Sequence, residues 1–173
     1  MRNIRKIVIP LNRHVGIGDI VLSTGFVYTI SKKQPQIEII CLVKELHQYL
    51  FQNFPSNVKV VVYNNRVWVN NDLPLIKKIC SYLSFLNYSL IKHILLMRKQ
   101  KIDLMVTNRS GTIDFLFMWL YGAKFRLGFP TRYGKFFLTH RIERVYEKQH
   151  IGLEWQQLFE YLTGNKVTIK PTI

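Results

Sequence analysis

Acidic residues are scarce in this chain: ten Asp and Glu stand against 25 Lys and Arg in 173 residues, a formal charge of +15. The surface is therefore one for phosphate-rich partners, namely nucleic acid, anionic lipid or a phosphorylated glycan. Cysteine is nearly absent. Cys41 and Cys80 lie far apart among apolar neighbours, which argues against a disulfide framework or a thiolate metal site and predicts two buried thiols in a reducing compartment. Long apolar runs are missing too. Phe115 to Ala123 is about half of what a membrane span needs, and Tyr82 to Met97 is broken by Asn87, Lys92 and His93. The apolar stretch after Met1 is too short for a signal peptide. These absences predict a soluble cytoplasmic fold. The run ending at Met97, flanked by Arg98, Lys99 and Lys101, predicts a core-facing helix, with a helix lying on a membrane surface as the alternative. His14, His47, His93, His140 and His150 are scattered without ligand spacing, so no metal site is expected.

What is present is 48% apolar residues and only 20% charged ones, enough for one packed α/β domain. Lys6 to Leu11 is a short β-branched run, as a strand buried on both faces requires, with Pro10 discordant in it because proline removes a ladder donor and belongs at a strand end. From Asp19 to Lys33 apolar residues recur at helical steps, closing on Lys32 and Lys33, which suit the negative end of a helix dipole. The alternation continues. Ile37–Val43 and Val58–Tyr63 read as strands around a helix at Glu45–Phe54; 64–74 is polar and turn-rich; Leu75–Gln100 reads as a helix and Asp103–Thr107 as a strand. Gly111–Tyr121 reads as a helix, Ala123–Phe129 as a strand, and His150–Leu162 as an amphipathic helix ended by Gly164. Strands alternating with helices predict a doubly wound parallel sheet. Between Arg98 and Lys148 eleven Lys and Arg face four Asp and Glu, so nearly half the net charge lies there. Within it, Thr131 to Arg144 interleaves aromatic and basic residues, a weak signature of single-stranded nucleic-acid binding that a partly packed loop shares.

In such a sheet ligands sit at the carboxyl ends of the strands, which directs attention to the turn Arg13-His14-Val15-Gly16-Ile17-Gly18-Asp19. The dinucleotide fingerprint fails because its third glycine position holds Val21, and the phosphate-loop pattern fails as well. The turn offers a backbone open to close approach at Gly16 and Gly18, a cation at Arg13, and the Asp19 carboxylate at the mouth of a helix. Asp19 is either the helix N-cap or a general base, and both readings stand at this stage.

Arg13 followed by Gly16-Ile-Gly-Asp-Ile-Val-Leu-Ser-Thr24, a helix and the strand Ile37-Glu-Ile-Ile-Cys-Leu-Val43 resembles the opening of the family 9 glycosyltransferases, the heptosyltransferases of lipopolysaccharide core assembly. Lys101-Ile-Asp-Leu-Met-Val-Thr107 resembles the family's next strand, with Ile102 where an aromatic is common. Tyr121-Gly-Ala-Lys-Phe-Arg-Leu-Gly-Phe129 resembles its helix-to-strand segment. His150 opening a helix that ends at Gly164 resembles the close of its first domain.

The resemblance implies the Rossmann-like N-terminal half of a two-domain GT-B enzyme, with residues 1–165 as the acceptor-side domain and 166–173 as the start of an interdomain linker. The donor-binding domain would lie outside this sequence, either lost from a fragment or supplied by a separate polypeptide. Asp19 is then the base that deprotonates the acceptor hydroxyl, with Gly16 and Gly18 shaping the cleft floor. Arg13, Arg109 and Arg126 are candidates for binding acceptor carboxylate or phosphate. No cofactor is implied beyond a nucleotide-sugar donor, ADP-heptose, held mainly by the missing domain. The implied partners are a lipopolysaccharide core or another anionic glycolipid and the inner-membrane surface. Two rival readings are a non-catalytic module that docks an anionic glycan or a partner protein, and a basic nucleic-acid-binding domain. Nucleic acid is the less favoured partner, because the sequence carries no recognised reading element.

Overall fold

The computed structural model describes residues 4–12, 16–63, 88–144 and 150–164. The strands are β1 (Lys6–Pro10), β2 (Glu38–Val43), β3 (Val58–Val62), β4 (Leu104–Val106), β5 (Phe125–Gly128) and β6 (His140–Arg141). The helices are α1 (Ile17–Lys33), α2 (Tyr88–Lys99), α3 (Thr112–Leu120) and α4 (Ile151–Thr163). Every pairing in the sheet is parallel and the strand order is β3-β2-β1-β4-β5-β6. The chain thus winds outward in one direction from β1 to β3, then crosses to the other side of β1 and continues to β6. This is the doubly wound α/β sheet that the alternation predicts.

The side-chain period of two sorts each strand onto two apolar layers. Ile7, Ile9, Ile39, Cys41, Leu104 and Val106 face α1 and α4, where Phe26 and Trp155 meet with ring centroids 4.7 Å apart. Val8, Ile40, Leu42 and Met105 face the other way, onto Met97 of α2 and Phe115 and Met118 of α3. With both faces covered, the central strands read as continuous apolar runs rather than alternating ones. Each large side chain fully buried this way contributes about 1.5–3 kcal/mol. Cys41 is a free thiol in the middle of this layer, and burial pushes its pKa up, so it behaves as a small apolar residue. Cys80 lies outside the described residues.

Polar residues inside α1 are accommodated locally. Ser23, Thr24, Thr29 and Ser31 turn their hydroxyls back onto carbonyls three or four residues earlier, at 2.6 to 2.8 Å. The start of β1 is fixed from across the sheet: one Asp103 carboxylate oxygen, Oδ2, accepts the backbone N–H of Arg5 at 2.9 Å and of Lys6 at 3.0 Å.

Two expectations need adjustment, and a third is tested only in part. Glu45–Phe51 is a 3₁₀ helix rather than an α-helix. Only His47 and Phe51 in it are buried, too narrow a stripe to lay down an amphipathic α-helix in the short connection to β3. The basic, aromatic stretch after Pro130 holds a 3₁₀ turn, Gly134–Phe137, and the two-residue strand β6, which is too short for periodicity to reveal. The predicted helix Leu75–Gln100 is described only over Tyr88–Lys99, where Leu90 and Met97 are buried while Ile91, Leu95 and Leu96 are exposed. Its earlier part, the stretch 64–74 and the segment 166–173 lie outside the described residues. Among the described residues no helix is long and apolar enough to cross a membrane.

Candidate active site at the switch point

Strand order reverses between β1 and β4, so the connections leaving these neighbours diverge to opposite faces and leave a crevice at their carboxyl ends. A cavity of about 350 Å³ lies there. Four segments converge on it: the first turn of α1 through Asp19, the β4–α3 loop through Asn108 to Gly111, Arg144 after β6, and the first turn of α4 through Ile151 and Glu154.

Helix α1 starts at Ile17 with Gly16 as its N-cap, and no side chain bonds to that cap. Asp19 therefore occupies the third position of the first turn rather than the cap, which removes the capping alternative. Its charge is favourable beside the exposed N–H groups of the helix start. Among the described residues, its side chain forms no hydrogen bond and no ion pair. Gly16 and Gly18 are exposed, and a β-carbon at either would meet nothing within 4 Å. Neither has the positive φ that would require glycine. Packing thus gives no reason for glycine at either place; Gly16 suits its N-cap position, whereas Gly18 lies inside the helix, where glycine costs about 0.5–1 kcal/mol relative to alanine. Arg13 lies outside the described residues.

The opposite wall commits most of its polar groups internally, although the buried Arg109 Nε makes no hydrogen bond among the described residues. Thr107 Oγ1 accepts the backbone N–H of Arg109 at 3.1 Å, and the Arg109 guanidinium pairs with Asp114 at 3.4 Å. Gly111 caps α3 with its β-carbon position only 2.5 Å from Asp114 Oδ2, so a side chain here would push that carboxylate aside. Arg109 thus lines the crevice alongside Asp19 while leaning on Asp114.

Glu154 is the buried charge of the site, with its side chain 8% exposed. Arg144 Nε donates to its Oε1 at 2.7 Å and Asn108 Nδ2 donates to its Oε2 at 3.4 Å. Burial raises the Glu154 pKa above the usual carboxylate range; Arg144 and Asn108 oppose that rise, and the charge of Asp19 adds to it. The Arg144 guanidinium also sits 5.2 Å from the centre of the Phe129 ring, which holds it from a second side. Glu154, Arg144 and Asn108 were not identified from the sequence. The available signal was a carboxylate on the apolar stripe of α4, between Ile151 and Trp155, where a charge needs a partner.

Arg126 is placed elsewhere. On β5, its Nε donates to the Phe137 carbonyl at 2.5 Å and a terminal nitrogen donates to the Ala123 carbonyl at 2.6 Å. Burial lowers its pKa, and it does not line the crevice with Asp19. Its guanidinium tethers the β5–β6 connection instead. Among the described residues no cluster of three or more His, Cys, Asp or Glu is arranged to hold a metal ion.

No protein-family model and no curated protein matches the sequence. Solved structures do share the fold. A family 9 glycosyl transferase from Veillonella parvula superimposes with a TM-score of 0.66 at 16% identity, over 100% of this chain and 47% of that one. The E. coli heptosyltransferase WaaC with ADP gives 0.66 at 12% identity over 96% of this chain and 50% of that one. WaaC with ADP-2-deoxy-2-fluoro heptose gives 0.65 at 12% identity. The chain has a glycosyltransferase-like fold and spans about half the length of these neighbours.

Proposed function

We propose that this chain is the acceptor-side domain of a sugar transferase of the heptosyltransferase type, acting on an anionic glycolipid such as a lipopolysaccharide core at the cytoplasmic face of the inner membrane. The observation that carries this reading is Asp19: a carboxylate without a partner among the described residues, at the mouth of the switch-point crevice, beside two glycines that internal packing does not require. In the reaction, Asp19 accepts the proton of an acceptor hydroxyl. That oxygen forms a bond to the anomeric carbon of the donor sugar, and the bond from this carbon to the nucleoside diphosphate breaks, with inversion. Arg109 on the opposite wall, and Arg13 at the start of the turn, offer charge-assisted hydrogen bonds to acceptor phosphate or carboxylate. Gly16 and Gly18 leave clearance for the acceptor over the helix start. Arg126, occupied by carbonyl oxygens, has no part in acceptor contact on this reading.

The donor is a nucleotide sugar, with ADP-heptose favoured by the ligands named for the E. coli neighbour. Its nucleotide would be held mainly by a second domain contributed by further sequence or by a separate polypeptide. The test is heptosyl transfer from ADP-heptose to a lipopolysaccharide core acceptor. The expected result is no transfer by the 173-residue chain alone and transfer once a donor domain is added. In the complemented system, Asp19→Asn should cut kcat by at least about 100-fold. Transfer that survives this substitution within a few fold removes Asp19 from the mechanism. Acceptor binding without transfer under any complementation leaves a glycan-docking module.

A further inference from the structure

The segment from Ala123 to Ile142 holds Lys124, Arg126, Arg132, Lys135 and Arg141 and no Asp or Glu. Its 3₁₀ turn, Gly134–Phe137, and the residue that precedes it carry the most exposed aromatic side chains of the described chain, Phe136 at 74% and Tyr133 at 64%. The turn itself is held firmly in place. Thr131 caps it, with Oγ1 accepting the Gly134 N–H and its carbonyl accepting that of Lys135, both at 3.1 Å. Gly134 is buried against the Phe115 ring so closely that a β-carbon there would collide with it. Leu138 is buried behind the turn, and Phe137 is half-buried near Trp119 of α3, with ring centroids 6.4 Å apart. Trp119 is itself 48% exposed. With its backbone anchored, the turn projects Tyr133 and Phe136 as fixed features, and an isolated protein gains nothing from that exposure.

We propose that Trp119, Tyr133 and Phe136, with Arg132 and Lys135, form a docking surface for an anionic lipid bilayer. The aromatic residues enter the headgroup region and the cations pair with lipid phosphates. A bilayer fits better than single-stranded nucleic acid, because the Arg132 cation sits 5.5 Å from the centre of the Tyr133 ring and the Lys135 cation 5.5 Å from that of Phe136. A cation already occupies one face of each ring, and the residues project rather than line a groove of the kind that tracks a nucleic-acid strand. Position adds a second argument. Gly111 at the start of α3 lines the crevice and Trp119 lies eight residues along the same helix, about 12 Å at 1.5 Å per residue. A molecule docked through the turn can thus present the crevice to the head of a lipid-anchored acceptor. The inference deepens the membrane-surface part of the proposed function, but it requires no sugar transfer.

The experiment is sedimentation of the full chain with vesicles that contain no glycolipid. Vesicles of equal parts phosphatidylcholine and phosphatidylglycerol should retain the protein in a salt-sensitive manner, and phosphatidylcholine vesicles should not. Arg132→Gln with Lys135→Gln should weaken retention about 30-fold. Tyr133→Ser with Phe136→Ser should weaken it comparably, while circular dichroism and the melting temperature stay as in the parent because these side chains are exposed. Quenching of Trp119 by brominated lipid, absent in Trp119→Phe, should report insertion. Equal retention of the parent and both double variants overturns the proposal. So does displacement of bound protein by a single-stranded oligonucleotide at matched ionic strength. Asp19→Asn should bind vesicles like the parent, so failure here and failure of the transfer mechanism remain distinguishable.

Discussion

The two loops that frame the crevice leave neighbouring parallel strands, yet they handle their polar groups in opposite ways. The β4–α3 loop commits most of its own: Thr107 accepts the Arg109 N–H and Arg109 leans on Asp114 in an ion pair, with its buried Nε left without a hydrogen bond among the described residues. The start of α1 does the reverse, placing Asp19 without a hydrogen bond or ion pair among the described residues and two glycines in open space. Groups that a fold consumes contribute stability; groups it leaves uncommitted are available for chemistry. Substitutions on the two sides should therefore separate the two kinds of loss.

The largest effect on stability is expected at Arg126, which belongs wholly to the consumed class. Arg126→Ala removes two hydrogen bonds to carbonyl oxygens and should lower unfolding free energy by about 2–3 kcal/mol, measured by urea denaturation. Asp19→Asn should change it by less than about 0.5 kcal/mol. A loss at Asp19 as large as that at Arg126 would collapse the distinction.

Glu154 comes next. Glu154→Ala leaves the Arg144 guanidinium without its carboxylate in a site still partly open to water, a loss of about 2 kcal/mol by the same measurement. Glu154→Gln should recover part of it.

His93 is a polar group that the far side of the sheet buries without a partner for Nε2 among the described residues, stacked on Tyr63 at 3.6 Å. Burial pulls its pKa down to about 4. As pH falls below about 6.5 the unfolded chain protonates this ring while the folded chain does not, so stability declines until about pH 4 and this group then adds no further slope. After allowance for the solvent that still reaches the ring, the decline amounts to about 1–2 kcal/mol. Thermal melts across that window should show a shallower decline in His93→Gln.

The smallest effect has the opposite sign. Gly18→Ala should raise stability by about 0.5–1 kcal/mol, since the β-carbon meets nothing and alanine is the better helix former. The same substitution should weaken acceptor binding, measurable by calorimetry with a soluble core oligosaccharide. Stabilisation without loss of binding would show that the clearance at Gly18 serves no ligand.

Most of the fold was legible because local pattern and tertiary role agree. The β-branched runs at Ile7–Ile9 and Ile39–Val43 are buried on both faces, and α1 and α4 carry their apolar stripes where the sequence places them. Gly122 and Gly164 adopt the positive φ expected where a helix stops. What escaped depends on contacts distant in sequence. Strand β6 has two residues and exists only because Leu127 and Gly128 are there to pair with it. In the crevice, Asp19 and Arg109 could be named from their positions after strands. Glu154 could not, since its role follows from Arg144 and Asn108 reaching it from separate segments. Arg126 illustrates the converse: a conspicuous cation in a motif, turned by the packed chain toward carbonyl oxygens that no pattern reveals.

Direct pairing of β1 with β4 also sets an order in time. Asp103 clasps the backbone of Arg5 across 98 positions of sequence, so β1 must wait for about that many further residues to be made before its second neighbour arrives. Loop closure of that length is slow compared with the local pairing of β1, β2 and β3. During synthesis the nascent chain should hold a half-sheet with one raw edge at β1, shielded only once β4 docks.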